Sequence, residues 1–459
     1  MKRKLLALAL STASSAIFAD VSLYGRVAVG VENDQFQNTT IPGTSNIQDY
    51  GSYFGIRGVD PVYGDTSAIW QVEQLLDVTS MQPYYFNSAG GLTPPRSGVP
   101  GTCTANSNGT CTGSPGRVTT ILNTLASSES YLGLQGLWGR MKIGNLSNYM
   151  RSDMGTVDIY NYANGVNGFA LFSRTSRILP TSIRYDSPSW GGFSFSGMYS
   201  FNTSGQTGVS GIGATNDFGV GLDGYYSGGI YSAGMGWSGS NFTVNLGTTV
   251  WQNVGSYTNG MGGMNTPTNI SNAVQYYNAY ANRLELSYDD PDGLIAGVGV
   301  QTTNGMGWNF WVNSGGSFNN FIVNPGYYNQ GLTTNQYQTQ ELGASLGYHF
   351  GPWTPKIGYM YGNNLMYNGN LGTVLLGSAS QIPNSGYQQA VAELDWNINP
   401  RTIVFVNYGQ AWYGSTLQNT SWCGTNCGNP ANNYAGTVNG NNQAFFDQST
   451  VGLGLSHTF

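Results

Sequence analysis

Apolar and polar residues alternate with a period of two in short segments that recur from residue 20 to residue 459. In VSLYGRVAVGVE, Leu23, Val27, Val29 and Val31 share one face, while Ser22, Arg26 and Glu32 share the other. The same sorting sets Trp70 and Val72 against Gln71 and Glu73, Met141 and Ile143 against Arg140 and Lys142, and Ile183 and Tyr185 against Arg184 and Asp186. Leu284, Leu286 and Tyr288 oppose Glu285 and Asp289, and Leu394 and Trp396 oppose Glu393 and Asp395. Successive side chains of a strand point to opposite faces, so the pattern predicts half-buried β-strands. The segments are too short and too frequent for helices, and no apolar run approaches the roughly 20 residues of a membrane-crossing helix.

The joints between segments alternate in length. VDPVYGD, LWG, SPSWGG, SGSN, DPDG, GPWTP and NINPR are short. Between them lie long stretches crowded with glycine, asparagine, serine and proline, the residues that break regular structure. A meander of this kind, with short turns at one end and long loops at the other, is the pattern of an outer-membrane barrel. Sixteen strokes are counted, ending in STVGLGLSHTF. A further candidate, DFGVGLDGYY at 217–226, would make the number odd; with both termini at the short-turn end it is assigned to the fourth loop, the alternative being that it is a strand and one of the sixteen is not.

An all-β barrel of sixteen strands could be soluble or could cross a membrane. Tryptophan favours the membrane: Trp138, Trp190, Trp237, Trp353 and Trp396 all fall in or beside a short turn, as in an interfacial aromatic girdle. With the apolar face turned to lipid, the charged face lines the interior. Glutamate and arginine cannot sit unpaired in a dry core, so that interior is expected to hold water.

Composition sharpens this. Only 8% of the 459 residues are charged, against about 25% in ordinary globular proteins. Glycine numbers 67 and tyrosine 31. The N-terminal MKRKLLALALSTASSAIFAD has a basic start, an apolar centre and small residues before Asp20, the features of an export signal. Cleavage is expected after Ala19, with Ala16 the alternative, leaving 20–459 as a single barrel domain. That signal carries three of the 16 basic residues, so the exported chain is more negative than the formal −6, which argues against nucleic acid as a partner. The four cysteines form two local pairs, Cys103 with Cys111 and Cys423 with Cys427, in polar, turn-rich sequence. Export favours loop-stapling disulfides; a metal site is the competing reading, but neither pair brings a histidine or a CxxC.

Taken in order, DVSLYGRVAVGVE, SYFGIRG, AIWQVEQ, SYLGLQG–LWGRMKIGNLSN, SIRYDSP and the terminal VGLGLSHTF resemble the general diffusion porins of the beta-proteobacterial (neisserial) type. The resemblance implies a homotrimer of 16-stranded barrels in the outer membrane of a Gram-negative bacterium, in contact with lipid and lipopolysaccharide. It implies a third loop folded into each lumen and a second loop reaching over a neighbour. Voltage-modulated passage of ions and small hydrophilic solutes is the implied activity, and Phe459 the implied signal for the barrel-insertion machinery.

By the same resemblance the constriction sets basic wall residues against acids. The basic candidates at matching motif positions are Arg26, Arg57, Arg140, Lys142 and Arg184, and Glu73 is an acidic wall residue. The third loop is expected from Leu146 to Pro180, with Asp153 and Asp158 as its acids. Opposed charges in a narrow neck create a transverse field that filters by charge. Asn145 departs from the family, which commonly has arginine there, and thins the basic ladder. The sparse charge of the loops would keep their potential steady in an acidic habitat; lineage composition bias gives the same pattern.

No nucleophile elbow, HExxH or phosphate-binding loop is present, and no cofactor or metal is expected. The two histidines, His349 and His457, stand apart near the short-turn edge. A non-conducting barrel acting as an adhesin or scaffold, and a substrate-specific porin, remain the alternatives to a general porin.

Overall fold

Sixteen strands close edge to edge into one antiparallel barrel in the computed structural model of the chain. The structure describes residues 20–37, 43–76, 78–79, 126, 128–154, 156–161, 166–169, 172, 178–201, 229–256, 275–304, 337–364, 384–415 and 447–459. Isolated pairs at 85–86, 92–93, 119–120, 366–367, 380–381, 437–438 and 441–442 are also described. The export signal, the segment 217–226 and Cys103, Cys111, Cys423 and Cys427 lie outside the described residues.

The barrel strands are β1 Asp20–Phe36, β2 Ser52–Tyr63, β3 Thr66–Leu76, β4 Ser130–Gly136, β5 Gly139–Ser147, β6 Ile178–Asp186, β7 Phe193–Ser200 and β8 Ile230–Gly239. They continue with β9 Phe242–Ser256, β10 Gln275–Asp289, β11 Leu294–Asn304, β12 Tyr337–Tyr348, β13 Trp353–Gly362, β14 Tyr387–Asn399, β15 Thr402–Tyr413 and β16 Gln448–Thr458. Each pairs with its sequence neighbour, and β16 pairs with β1 from Arg26↔Thr458 to Phe36↔Gln448. That last pairing removes both free edges, as lipid requires.

The alternation holds round the wall. Leu23, Ile143, Leu286 and Leu394 are exposed on the outside, while Lys142, Arg184, Glu285, Glu393 and Asp395 are buried on the inside. All five turn-side tryptophans are outward and exposed. Trp353 and Trp396 stack at 5.4 Å across paired strands, and the Tyr185 hydroxyl donates to the Trp138 carbonyl at 2.6 Å. The aromatic girdle expected from the sequence is in place.

The short turns lie together at one end. The first is tighter than VDPVYGD suggested: Val59↔Ile69, Pro61↔Ser67 and Tyr63↔Thr66 keep pairing, leaving only Gly64 and Asp65. Pro61 is tolerated because the register slips beside it, where no ladder donor is needed. The SGSN joint closes on Ser240 and Asn241, both at positive φ (50° and 67°), the backbone of a two-residue hairpin matched to strand twist.

The second stroke is broken. Thr44–Asp49 pairs with the outer half of β1, β2 pairs with its inner half, and Tyr50 and Gly51 form the kink between them. Gly51 takes φ +83°, which disfavours any residue with a Cβ. The Asp49 carboxylate accepts the Gly51 and Ser52 amides at 2.8 and 2.7 Å. The kink swings the Tyr50 ring into the lumen against Phe405, 4.9 Å between centroids.

At the seam, the Phe459 amide donates to the Gly25 carbonyl at 3.0 Å and the Gly25 amide to the Phe459 carbonyl at 3.2 Å. The Phe459 ring covers Gly25 so closely that a Cβ there would meet it at 2.5 Å and the Tyr53 carbonyl at 2.7 Å. Gly25→Val is therefore expected to unseat Phe459 and cost about 1–3 kcal/mol by overpacking. Urea titration of vesicle-inserted protein should show a lower midpoint, with conductance of the folded fraction unchanged.

Candidate functional site

The site is the barrel interior, and its shape is set by the third loop. Chain leaving β5 turns at Asn148 into the short helix α1, Tyr149–Ser152. Asn148 caps the helix by accepting the Met150 amide at 3.2 Å, and the same oxygen takes the hydroxyls of Ser232 on β8 (2.7 Å) and Thr249 on β9 (3.2 Å). A residue ordinarily chosen to end a helix here also fastens it to the wall.

From α1 the loop follows the wall. Thr156 donates through amide and hydroxyl to Glu285 on β10, both at 2.9 Å, and Ser345 on β12 donates to the Val157 carbonyl. Gln389 on β14 donates to the carbonyls of Val166 (2.8 Å) and Gly168. Asn167 reaches Glu32 on β1 and Asn407 on β15, both at 3.1 Å. Met150, Met154, Val157, Val166, Phe169 and Phe172 are buried beneath. Buried carbonyls must find donors, and each such bond contributes about 0.5–1.5 kcal/mol net.

Such close approach needs missing side chains. The Tyr149 ring lies on Gly234 of β8, the Tyr160 and Phe169 rings on Gly358 of β13, and the Val166 backbone on Gly409 of β15; a Cβ at any of these would collide. These glycines share the inward parity of their strands, so the wall is built as a track for the loop. Burial, with Asp153 adding to it, pushes the Tyr149 phenol up to about 12, and burial raises that of Tyr160 as well, so both rings are neutral.

The loop lies against β8–β15, and its helix also packs on Leu179 of β6 and Met198 of β7. Most of the charged residues named from the sequence lie on the inner faces of β2–β6. Arg57 is exposed, donates to Ser22 at 3.2 Å and lies over the Tyr24 ring at 5.0 Å. The Tyr24 hydroxyl donates to Glu73 at 3.0 Å, and Ser128 donates to the other Glu73 oxygen at 2.5 Å, so Glu73 is buried in the wall. Arg26 is inward but bonded: its guanidinium donates to the Tyr50 carbonyl at 3.0 Å and the Gly51 carbonyl at 2.8 Å, bracing the kink.

Arg140, Lys142 and Arg184 gather around a cavity of about 730 Å³ at the short-turn end, also lined by Asp65, Glu129, Asp153 and Asp186. Arg140 is exposed in it. Lys142 is buried 3.3 Å from Glu129 and 3.7 Å from Asp186. Arg184 joins wall to loop, 2.7 Å from both Asp153 and Asp186, and donates to the Ser147 carbonyl at 2.8 Å. Asp158 is half-buried further along the loop.

The groups beneath the loop are not among the motif-matched site residues. Lys356 sits 2.7 Å from Glu393 and Asp395, all three buried. Arg283, Gln301 and Glu341 form a second cluster, and Tyr50 donates to Glu32 at 3.0 Å in a third. Their inward parity was visible; that a loop would cover them was not.

A closed barrel with an apolar girdled exterior, a charged interior and a loop folded inside defines a channel-forming outer-membrane protein. The chain belongs to the Gram-negative porin family, whose sequence profile matches residues 5–416. It is 24% identical over 418 residues to the major outer membrane protein P.IB of Neisseria meningitidis serogroup B, covering 89% of this chain and 93% of that one. It is 25% identical over 419 residues to P.IB of Neisseria lactamica, with the same coverage. In fold it is similar to the anion-selective porin from Comamonas acidovorans (TM-score 0.57, 14% identity, 96% of this chain and 100% of that one). It is also similar to the trimer form of OmpT from Vibrio cholerae (TM-score 0.51, 11% identity, 96% and 99%). The protein is an outer-membrane porin, a diffusion channel of a family of channels rather than enzymes.

Gly409→Leu is expected to lift the loop off β15 and push it into the passage. Single-channel recordings in planar bilayers should show lower conductance, with the β-sheet circular dichroism unaltered.

Proposed function

We propose that this porin passes small hydrophilic solutes and ions non-specifically, with only weak charge selectivity. The observation that supports this is the 2.7 Å pairing of Arg184 on the wall with Asp153 on the loop. Where the two opposed charges meet directly, their fields cancel at short range instead of spanning an open neck. Lys142 is matched in the same way by Glu129 and Asp186. Of the basic candidates named from the sequence, Arg57 and Arg140 are exposed, and they carry what preference for anions remains. In this reading Arg26 adds positive potential, Lys142 and Arg184 are offset by the acids beside them, Glu73 and Asp158 add negative potential, and Asp153 holds the loop.

The working unit we propose is a homotrimer, as the solved OmpT form is, seated in outer-membrane lipid with its long loops against lipopolysaccharide. Residues 1–19 would direct export and be removed, the two cysteine pairs would staple loops, and Phe459 would be read by the barrel-insertion machinery.

Replacing Arg57 and Arg140 together with alanine should shift the reversal potential in a salt gradient toward cations. An unmoved potential would assign selectivity to other residues. Liposome swelling should show rates for neutral sugars and dicarboxylates of similar size that differ little; strong preference for one solute would mark a substrate-specific porin.

A further inference from the structure

The third loop leaves the wall at β5 and returns at β6, yet one side chain holds both of its limbs. Arg283 on β10 is buried to 1% exposure. Its Nη1 donates to the Met150 carbonyl on the outgoing limb at 3.1 Å, and its Nη2 donates to the Phe172 carbonyl on the returning limb at 2.9 Å. The guanidinium lies over the Phe172 ring, 4.7 Å from its centroid. The wall orients it: Nε and Nη2 donate to Gln301 Oε1 on β11 at 2.9 and 2.7 Å, and Nη1 is 3.3 Å from Glu285. Gln301 in turn donates to the Phe172 carbonyl at 2.9 Å and to Glu341 on β12 at 2.6 Å.

We infer that Arg283 is the positioning residue of the channel: it draws the two limbs of the third loop together on the β10 wall and so sets how far the loop projects into the passage. The planar fork is what the task requires. Two divergent N–H vectors reach two carbonyls while a third edge is held by Gln301, and a lysine ammonium, a flexible point charge, cannot keep all of these at once. Glu285, two residues along the same strand, compensates the buried cation at 3.3 Å. Lifting the loop would free the Met150 and Phe172 carbonyls from Arg283 and narrow the passage. This stands apart from the selectivity assignment above, because it concerns where the loop lies and not which ions prefer the neck.

The test uses full-length protein in planar bilayers, comparing R283K, R283M and Q301L with the unaltered chain after circular dichroism has verified the barrel. R283K keeps the charge but holds one limb at most. Its open-channel current is expected to fluctuate between substates, with noise several-fold above the parent channel. R283M should do the same more strongly. Q301L, which removes the orienting acceptor and one donor to Phe172, should give a smaller rise. Quiet currents of parental conductance in R283K would overturn the inference, since a role confined to barrel stability predicts quiet channels in whatever fraction folds. If neither arginine variant inserts, a quiet Q301L channel overturns it and a noisy one supports it.

Discussion

Everything in this structure follows from the hydrocarbon around it, which offers backbone amides nothing to bond with. A sheet in lipid must close, so β16 returns to β1 and the Phe459 backbone adds a last pair to Gly25. Closure fixes which parity faces outward, and with it the inversion of ordinary packing: Leu23, Ile143 and Leu394 outside, Arg184, Glu285 and Glu393 inside. A sixteen-stranded ring is too wide for side chains to fill. The interior is left to water and to a loop.

The loop does not span the lumen freely. It lies in a bed of inward glycines, with Gly234, Gly358 and Gly409 directly under Tyr149, Tyr160 and Val166. Its carbonyls are taken by wall donors, Gln389, Ser345 and Arg283 among them. Glycine in a strand normally costs stability. Here the missing side chains let a second layer of chain approach the wall, and the hydrogen bonds gained offset the loss. The polar interior therefore acts as a scaffold on one side and as the wall of the passage on the other.

Charge divides along the same line. Under the loop, Lys356 bridging Glu393 and Asp395, and Arg283 beside Glu285, are buried and serve to hold structure. On the passage side Arg57 and Arg140 are exposed, and Lys142 and Arg184 sit between acids. Arg26 shows how one inward arginine can serve the backbone instead, bracing the carbonyls of the Tyr50–Gly51 kink.

Strand number, the end on which the turns lie, the tryptophan girdle and the inward set of charges were legible in the residues themselves. Each depends on a period of two or on turn residues a few positions apart, and such signals are local. The first turn came out shorter than expected because Pro61 and Tyr63 continue the ladder past a register slip, which only the partner strand reveals. The motif positions of Arg26, Arg57, Glu73, Arg140, Lys142 and Arg184 were readable, and so was their inward direction. What each one touches was decided by tertiary structure. Asp153 meets Arg184, and Met150 and Phe172 meet on Arg283, because a loop bends back through the ring and brings together residues far apart in the chain. Period and composition carry no record of such contacts. They exist only once the barrel has closed and the loop has a wall to lie on.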